Sequence, residues 1–120
     1  MASWTKSKNL SAFDPRAMDH YRASYSDPAR IHAQCEDYRA GVGADLTNDE
    51  ADRAAGKTIA CPFLALWGGV GIANETGGPL NIWRQWAPQA TGQPVDSGHF
   101  LTEENPDVTA KALLDFFSAK

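Results

Sequence analysis

The chain changes character at Lys57: before it, apolar residues stand singly among polar ones at helical spacing, and after it they gather into runs. Phe13, Asp14 and Pro15 form a helix start, with Asp14 as N-cap and Pro15 at the first helical position, and predict a helix over roughly Pro15 to Ser24. Asp27 and Pro28 repeat the device. There Ile31, Cys35 and Tyr38 recur at spacings of four and three, predicting a second helix that ends near Gly41. Residues 42–48 read as a loop, after which Asn48 caps a short charged helix, NDEADRAAG, closed by Gly56.

From Lys57 the run TIACPFLALWG predicts a strand covered on both faces, as in a parallel sheet. Residues 68–79 hold five glycines and a proline and read as a long loop. Leu80, Ile82, Trp83 and Trp86 then predict a short amphipathic helix, and TGQPVDSG a second, shorter strand leading to His99. Asn105 and Pro106 open a last helix, with Val108, Ala112, Leu113, Phe116 and Phe117 on one face. The fold class is therefore α/β. Two strands joined by a helix leave both sheet edges open, so the segment looks incomplete by its own physics.

Composition narrows the setting. A length of 120 residues suits one domain or a piece of one, and 42% hydrophobic with 22% charged residues excludes a disordered or fibrous chain. The net charge is −4, and Lys and Arg are scattered, so nucleic acid is not an expected partner. Cys35 and Cys61 are too few for a disulfide framework and lack zinc-site spacing, which points to a reducing cytoplasm. The start MASWTKSKNL has no signal-peptide core, and no apolar run is long enough to span a bilayer, so no membrane association is expected.

His99 is the candidate for chemistry. It stands in VDSGHFLTEENPDVTAKALLDFF, between a strand end and a long helix, where ligands bind in α/β sheets. Gly98 before it allows a sharp reversal. Taken alone, a loop histidine is more often a solvated or capping residue. His20 and His32 read as surface or structural histidines, and Trp67, Trp83 and Trp86 as packing residues. Cys61, inside an apolar strand, is read as desolvated and inert. Glu103 and Glu104 read as electrostatic support for the start of the last helix.

CPFLALWG, a glycine-rich loop, a helix, SGHF, ENPD and a terminal helix together resemble the last third of the α/β-hydrolase fold. WTKSKNLSAFDP and DPARIHAQCEDYRAG resemble the end of the cap and the following helix in fluoroacetate (haloacetate) dehalogenases. The resemblance implies a partial fold: residues 1–33 as the end of a helical cap, and 34–120 as the carboxy-terminal part of the core with the last two parallel strands and their helices. It implies that His99 is the general base that activates water against an ester formed when an aspartate displaces halide, and that Trp4 and Tyr38 line the site for substrate and halide. An indole N–H and a phenol O–H suit that task, being donors able to stabilise a departing fluoride. The plain alternatives are that Trp4 covers apolar surface near a chain end and that Tyr38 is an ordinary helix-face residue.

The sequence departs from the general pattern in two places. No aspartate follows LWG, where many α/β-hydrolases carry the acid; fluoroacetate dehalogenases carry it after an earlier strand, and Glu75 is a remote substitute. No strand and elbow bearing a nucleophile occurs either, so the chain alone is expected to be inactive. Met1 is open to reading as an internal methionine or as the first residue of a fragment. The implied partner is a small haloacid, with a homodimer admitted for the full-length protein and no metal or organic cofactor. Competing readings are a fragment of an epoxide or ester hydrolase, and a non-catalytic remnant or binding module that presents an open strand edge.

Overall fold

The computed structural model describes residues 2–70 and 78–119. Contacts divide the chain into two compact units, one of Met1–Phe13 with Thr58–Lys120 and the other of Asp14–Lys57. No helix among the described residues is long and apolar enough to cross a membrane.

The Asp14–Lys57 unit is helical. Its helices are α1 (Pro15–Tyr25), α2 (Pro28–Gly41) and α3 (Ala44–Ala54). Asp14 and Asp27 cap the first two by accepting from the N–H groups of Arg16 (2.7 Å) and Ala29 (2.9 Å), and a proline follows each cap. These are the sequence expectations, met because a cap is a contact between neighbours. The third helix corrects the sequence reading: it opens at Ala44, and Asn48 lies within it. Asp45 favours its positive first turn, and the Thr47 hydroxyl donates back to the Gly43 carbonyl at 3.1 Å. Gly56 closes the segment at φ +67°, the left-handed conformation that glycine adopts freely. None of the three helices has a fully buried residue.

The other unit carries the sheet. β1 (Leu64–Gly68) and β2 (Thr91–Val95) run parallel, with Leu64 opposite Thr91 and Gly68 opposite Val95. α4 (Gly78–Trp83) lies between them in sequence, and α5 (Leu101–Glu104) and α6 (Pro106–Ser118) follow. The expected long strand is shortened to its last five residues. Pro62 has no N–H for a ladder, and residues 58–63 are tied differently: Ile59 N–H donates to the Trp86 carbonyl at 2.7 Å, and Gln89 Nε2 donates to the carbonyls of Ile59 (2.9 Å) and Cys61 (2.8 Å). Cys61 is consequently exposed and outside the strand, which corrects its reading as a desolvated thiol. Much of the glycine-rich loop, with Glu75, lies outside the described residues.

The core consists mainly of small residues. Ala65, Ala87, Ala90, Val95, Thr5, Ser97 and Thr109 are buried together with Phe13, which meets Phe100 edge to face at 5.2 Å. Gly92 has no room for a Cβ, because the Ala65 backbone of the neighbouring strand fills that place. Of the tryptophans read as packing residues, Trp67 and Trp86 are half-buried, whereas Trp83 is exposed and tilts against Phe63 at 4.9 Å. On the expected apolar face of α6, Phe116 and Ala112 are half-buried, while Val108, Leu113 and Phe117 are exposed.

Candidate active site around His99

Three backbone segments converge just beyond the carboxyl ends of the two strands. The parallel ladder runs on past β1, with Gly69 N–H donating to the Val95 carbonyl (2.8 Å) and Val70 N–H to the Ser97 carbonyl (3.1 Å). A Cβ on Gly68 would collide with the Gly98 carbonyl, and one on Gly98 would collide with the backbone of Trp4, Thr5 and Lys6. Gly98 is needed for this close approach, not for a sharp reversal: it is not among the residues with positive φ.

The amino-terminal segment is shaped to fit there. Ala2–Trp4 is a single 3-10 turn, closed by Thr5, whose buried hydroxyl lies 2.8 and 2.7 Å from the carbonyls of Ala2 and Asn9. The turn presents the Trp4 carbonyl, which accepts the His99 N–H at 2.8 Å. The rings meet as well: Trp4 stands edge to face on the His99 imidazole at 5.0 Å and 71°, and Phe100 does so from another direction at 5.0 Å and 86°. Trp4 keeps 59% of its surface exposed and His99 is also exposed, so the aromatic contact covers only part of each side chain. Among the described residues no side chain hydrogen-bonds to the imidazole.

Glu104 holds these segments together. Its Oε2 accepts from the N–H of Lys6 at 2.6 Å and of Gly98 at 3.1 Å, and its Oε1 accepts from the N–H of Phe100 at 3.1 Å. Partial burial pushes its pKa up, but the three N–H donors and the Lys6 charge outweigh this and leave it below its ordinary value. Glu104 ends α5, four residues after Phe100, whose carbonyl accepts the Glu104 N–H at 2.9 Å. Its carboxylate is thus spent on the histidine loop rather than on the start of α6, a correction to the sequence reading. Thr109, buried on α6, supports this geometry with a hydroxyl that lies 2.8 Å from the Asn105 carbonyl and 3.2 Å from that of Leu101. A shallow depression of about 340 Å³, lined by Lys6, Ser7, Ser11, Ala12, Asp96 and Glu104, borders this clamp, and Lys6 pairs there with Asp96 at 2.5 Å.

Of the three residues singled out in the sequence, His99 and Trp4 are in contact. Tyr38 lies on α2, in the other unit, with 80% of its surface exposed. His20 and His32 are exposed, as expected, and His32 Nδ1 stands 3.8 Å from Glu36. Sequence reading missed Thr5 and Glu104. The available signal was the run of loop N–H groups around His99, each of which needs an acceptor once packed.

A histidine beyond the carboxyl ends of parallel strands, followed by a helix, is the arrangement found at the end of α/β hydrolases. The chain carries part of the α/β-hydrolase fold. It superposes with a TM-score of 0.86 on a protein from Nostoc sp PCC 7120 described as a candidate α/β hydrolase, at 43% identity, covering 98% of this chain and 39% of that one. A candidate epoxide hydrolase from Pseudomonas aeruginosa superposes with a TM-score of 0.82 at 41% identity, covering 91% of this chain and 36% of that one. More particularly, the sequence is 36% identical over 109 residues to fluoroacetate dehalogenase from Burkholderia sp, and so the chain is a relative of that enzyme. The match takes in 88% of this chain but 34% of the Burkholderia protein, in its carboxy-terminal part. No protein-family model matches the chain.

Proposed function

We propose that the chain is the carboxy-terminal portion of a hydrolase that cleaves the carbon–halogen bond of haloacetates such as fluoroacetate, with His99 as its general base. The observation that carries this reading is the placement of His99 beyond both strand ends, against Trp4, in a chain similar to fluoroacetate dehalogenase. In this reading residues 1–33 end the helical cap, and residues 34–120 belong to the core.

The reaction needs two steps. A carboxylate attacks the carbon bearing the halogen; the new carbon–oxygen bond forms as halide leaves with the bonding electron pair. His99 then takes a proton from water and the hydroxide adds to the ester carbonyl carbon; the bond from that carbon to the alkoxy oxygen breaks, the hydroxyacid leaves as it takes the proton back from His99, and the acyl group remains as the regenerated carboxylate once its own proton is lost to solvent. Trp4 offers an indole N–H to halide or substrate. Among the described residues no strand leads into an elbow with a nucleophile, and in this reading the chain alone does not perform the first step. The 41% identity to a candidate epoxide hydrolase favours a second reading, in which the same histidine hydrolyses an ester formed by opening an epoxide.

The test is a chimera in which this chain replaces the matching carboxy-terminal part of the Burkholderia enzyme. Fluoride released from fluoroacetate by the chimera, with none from the 120-residue chain alone, supports the reading. Turnover of epoxides with no fluoride release favours the second reading.

A further inference from the structure

We infer that Glu104 is a positioning residue for His99, acting through three backbone amides that fix the imidazole against Trp4. The inference rests on the reading of His99 as general base. Its geometric content does not depend on that reading.

A general base must hold its ring within a narrow range of angles to take a proton from water attacking a fixed ester. The His99 ring lacks a side-chain hydrogen bond among the described residues, so its orientation depends on the backbone beneath it and on its aromatic neighbours. Glu104 controls both. Two of its three donors, Gly98 and Phe100, flank His99 on either side in the chain. The third, Lys6, lies two residues after Trp4 and 98 positions from Glu104 in sequence. One carboxylate therefore joins the loop that carries the base to the segment that carries its ring partner. Without it, the polar links between the two segments are the His99 N–H to the Trp4 carbonyl and the exposed Lys6–Asp96 ion pair. An exposed pair between two flexible side chains holds geometry weakly, whereas the carboxylate grips the backbone itself at Lys6, Gly98 and Phe100.

The group must be an ionised carboxylate. Glutamine has one acceptor oxygen and an NH₂ that would point donors at donors, so it cannot serve three N–H groups divided between two oxygens. Aspartate is one methylene too short to reach Lys6 and Phe100 together. Charges facing Glu104 are Lys6, through its backbone N–H and its ammonium, and Asp96, which pairs with that ammonium; Glu103 and His99 are its other ionisable neighbours in the chain.

The experiment uses the 120-residue chain and nuclear magnetic resonance. In the unaltered protein the amide signals of Lys6, Gly98 and Phe100 should move together in acid with one shared midpoint, the midpoint of the Glu104 carboxyl carbon, and should do so also in Asp96→Asn. In Glu104→Gln the cross-peak between the Trp4 and His99 rings should be lost, while the cross-peaks between β1 and β2 remain. Three unrelated amide midpoints, or a Trp4–His99 cross-peak that survives in Glu104→Gln, would overturn the inference. Loss of the β1–β2 cross-peaks along with it would mark Glu104 as a general structural residue and also reject the positioning role. Should Glu104→Gln not fold, the acid titration of the unaltered chain decides. Whether the chimera carrying His99→Asn stops after about one equivalent of fluoride tests the reading of His99 as base independently, so the two failures are distinguishable.

Discussion

Trp4 and His99 hold each other twice, through rings 5.0 Å apart at 71° and through a 2.8 Å hydrogen bond from the His99 N–H to the Trp4 carbonyl. Residues 95 positions apart in the chain thus form one unit beyond the strand ends. Ring packing of this kind contributes about 0.5–1.5 kcal/mol beyond the area it buries, and Trp4 remains largely exposed. Replacing Trp4 by alanine should therefore lower stability by about 1–3 kcal/mol in urea unfolding, the ring contact and the covered part of the indole together. The proposed role of Trp4 in holding substrate predicts that the same change in the chimera raises KM for fluoroacetate.

Gly98 should not tolerate a side chain. A Cβ there meets the Trp4 carbonyl, the Lys6 nitrogen at 2.5 Å and the Thr5 carbonyl carbon at 2.7 Å, all of them backbone atoms that cannot rotate away. Gly98→Ala should cost about 1–3 kcal/mol, the range for overpacked interiors, measured by thermal or urea unfolding. An unchanged midpoint would show that Trp4–Lys6 does not pack on this loop.

Glu104 gives the fold an acid limb. Its carboxyl titrates below the ordinary 4.5, so the folded state holds this proton less tightly than the unfolded chain does. The resulting stability is fully present above the unfolded value and is lost as pH falls through the folded one. The urea midpoint should accordingly be level from neutrality down to the ordinary glutamate value and fall below it. Glu104→Gln should weaken that fall and lower stability at neutral pH by about 1–3 kcal/mol, as when a charged hydrogen-bond partner is removed. Some acid dependence should persist from Asp14, which the Arg16 guanidinium and N–H hold below the ordinary 3.8.

Cys35 and Cys61 are both exposed. Each should react with a thiol reagent in the folded protein without denaturant. A thiol released only on unfolding would restore the buried strand position for Cys61.

What could be read from the sequence was what neighbours determine. Asp14 and Asp27 announced their helices because a cap bonds to a residue two places on, and Asn105–Pro106 marked the start of α6 in the same way. The class of fold was legible in LALWG and TGQPV, which pair in parallel. Apolar content alone could not show where β1 begins, because Pro62 and the Gln89 side chain decide that, and Gln89 lies 28 residues from Cys61. The Asn48 signal was outweighed by Ala44–Thr47, which continue the helix toward Gly43. His99 was found from its place after a strand. Glu104 was not, because two adjacent glutamates before a helix have a ready local explanation, while the donor at Lys6 belongs to the far end of the sequence.

The central claim is that His99 activates water against an ester, and intact-mass spectrometry of the chimera tests it most directly. With His99→Asn and fluoroacetate, the account predicts fluoride release that stops near one equivalent per site and a protein that carries the covalent ester. Continuous fluoride release at the unaltered rate, with no adduct, would contradict it.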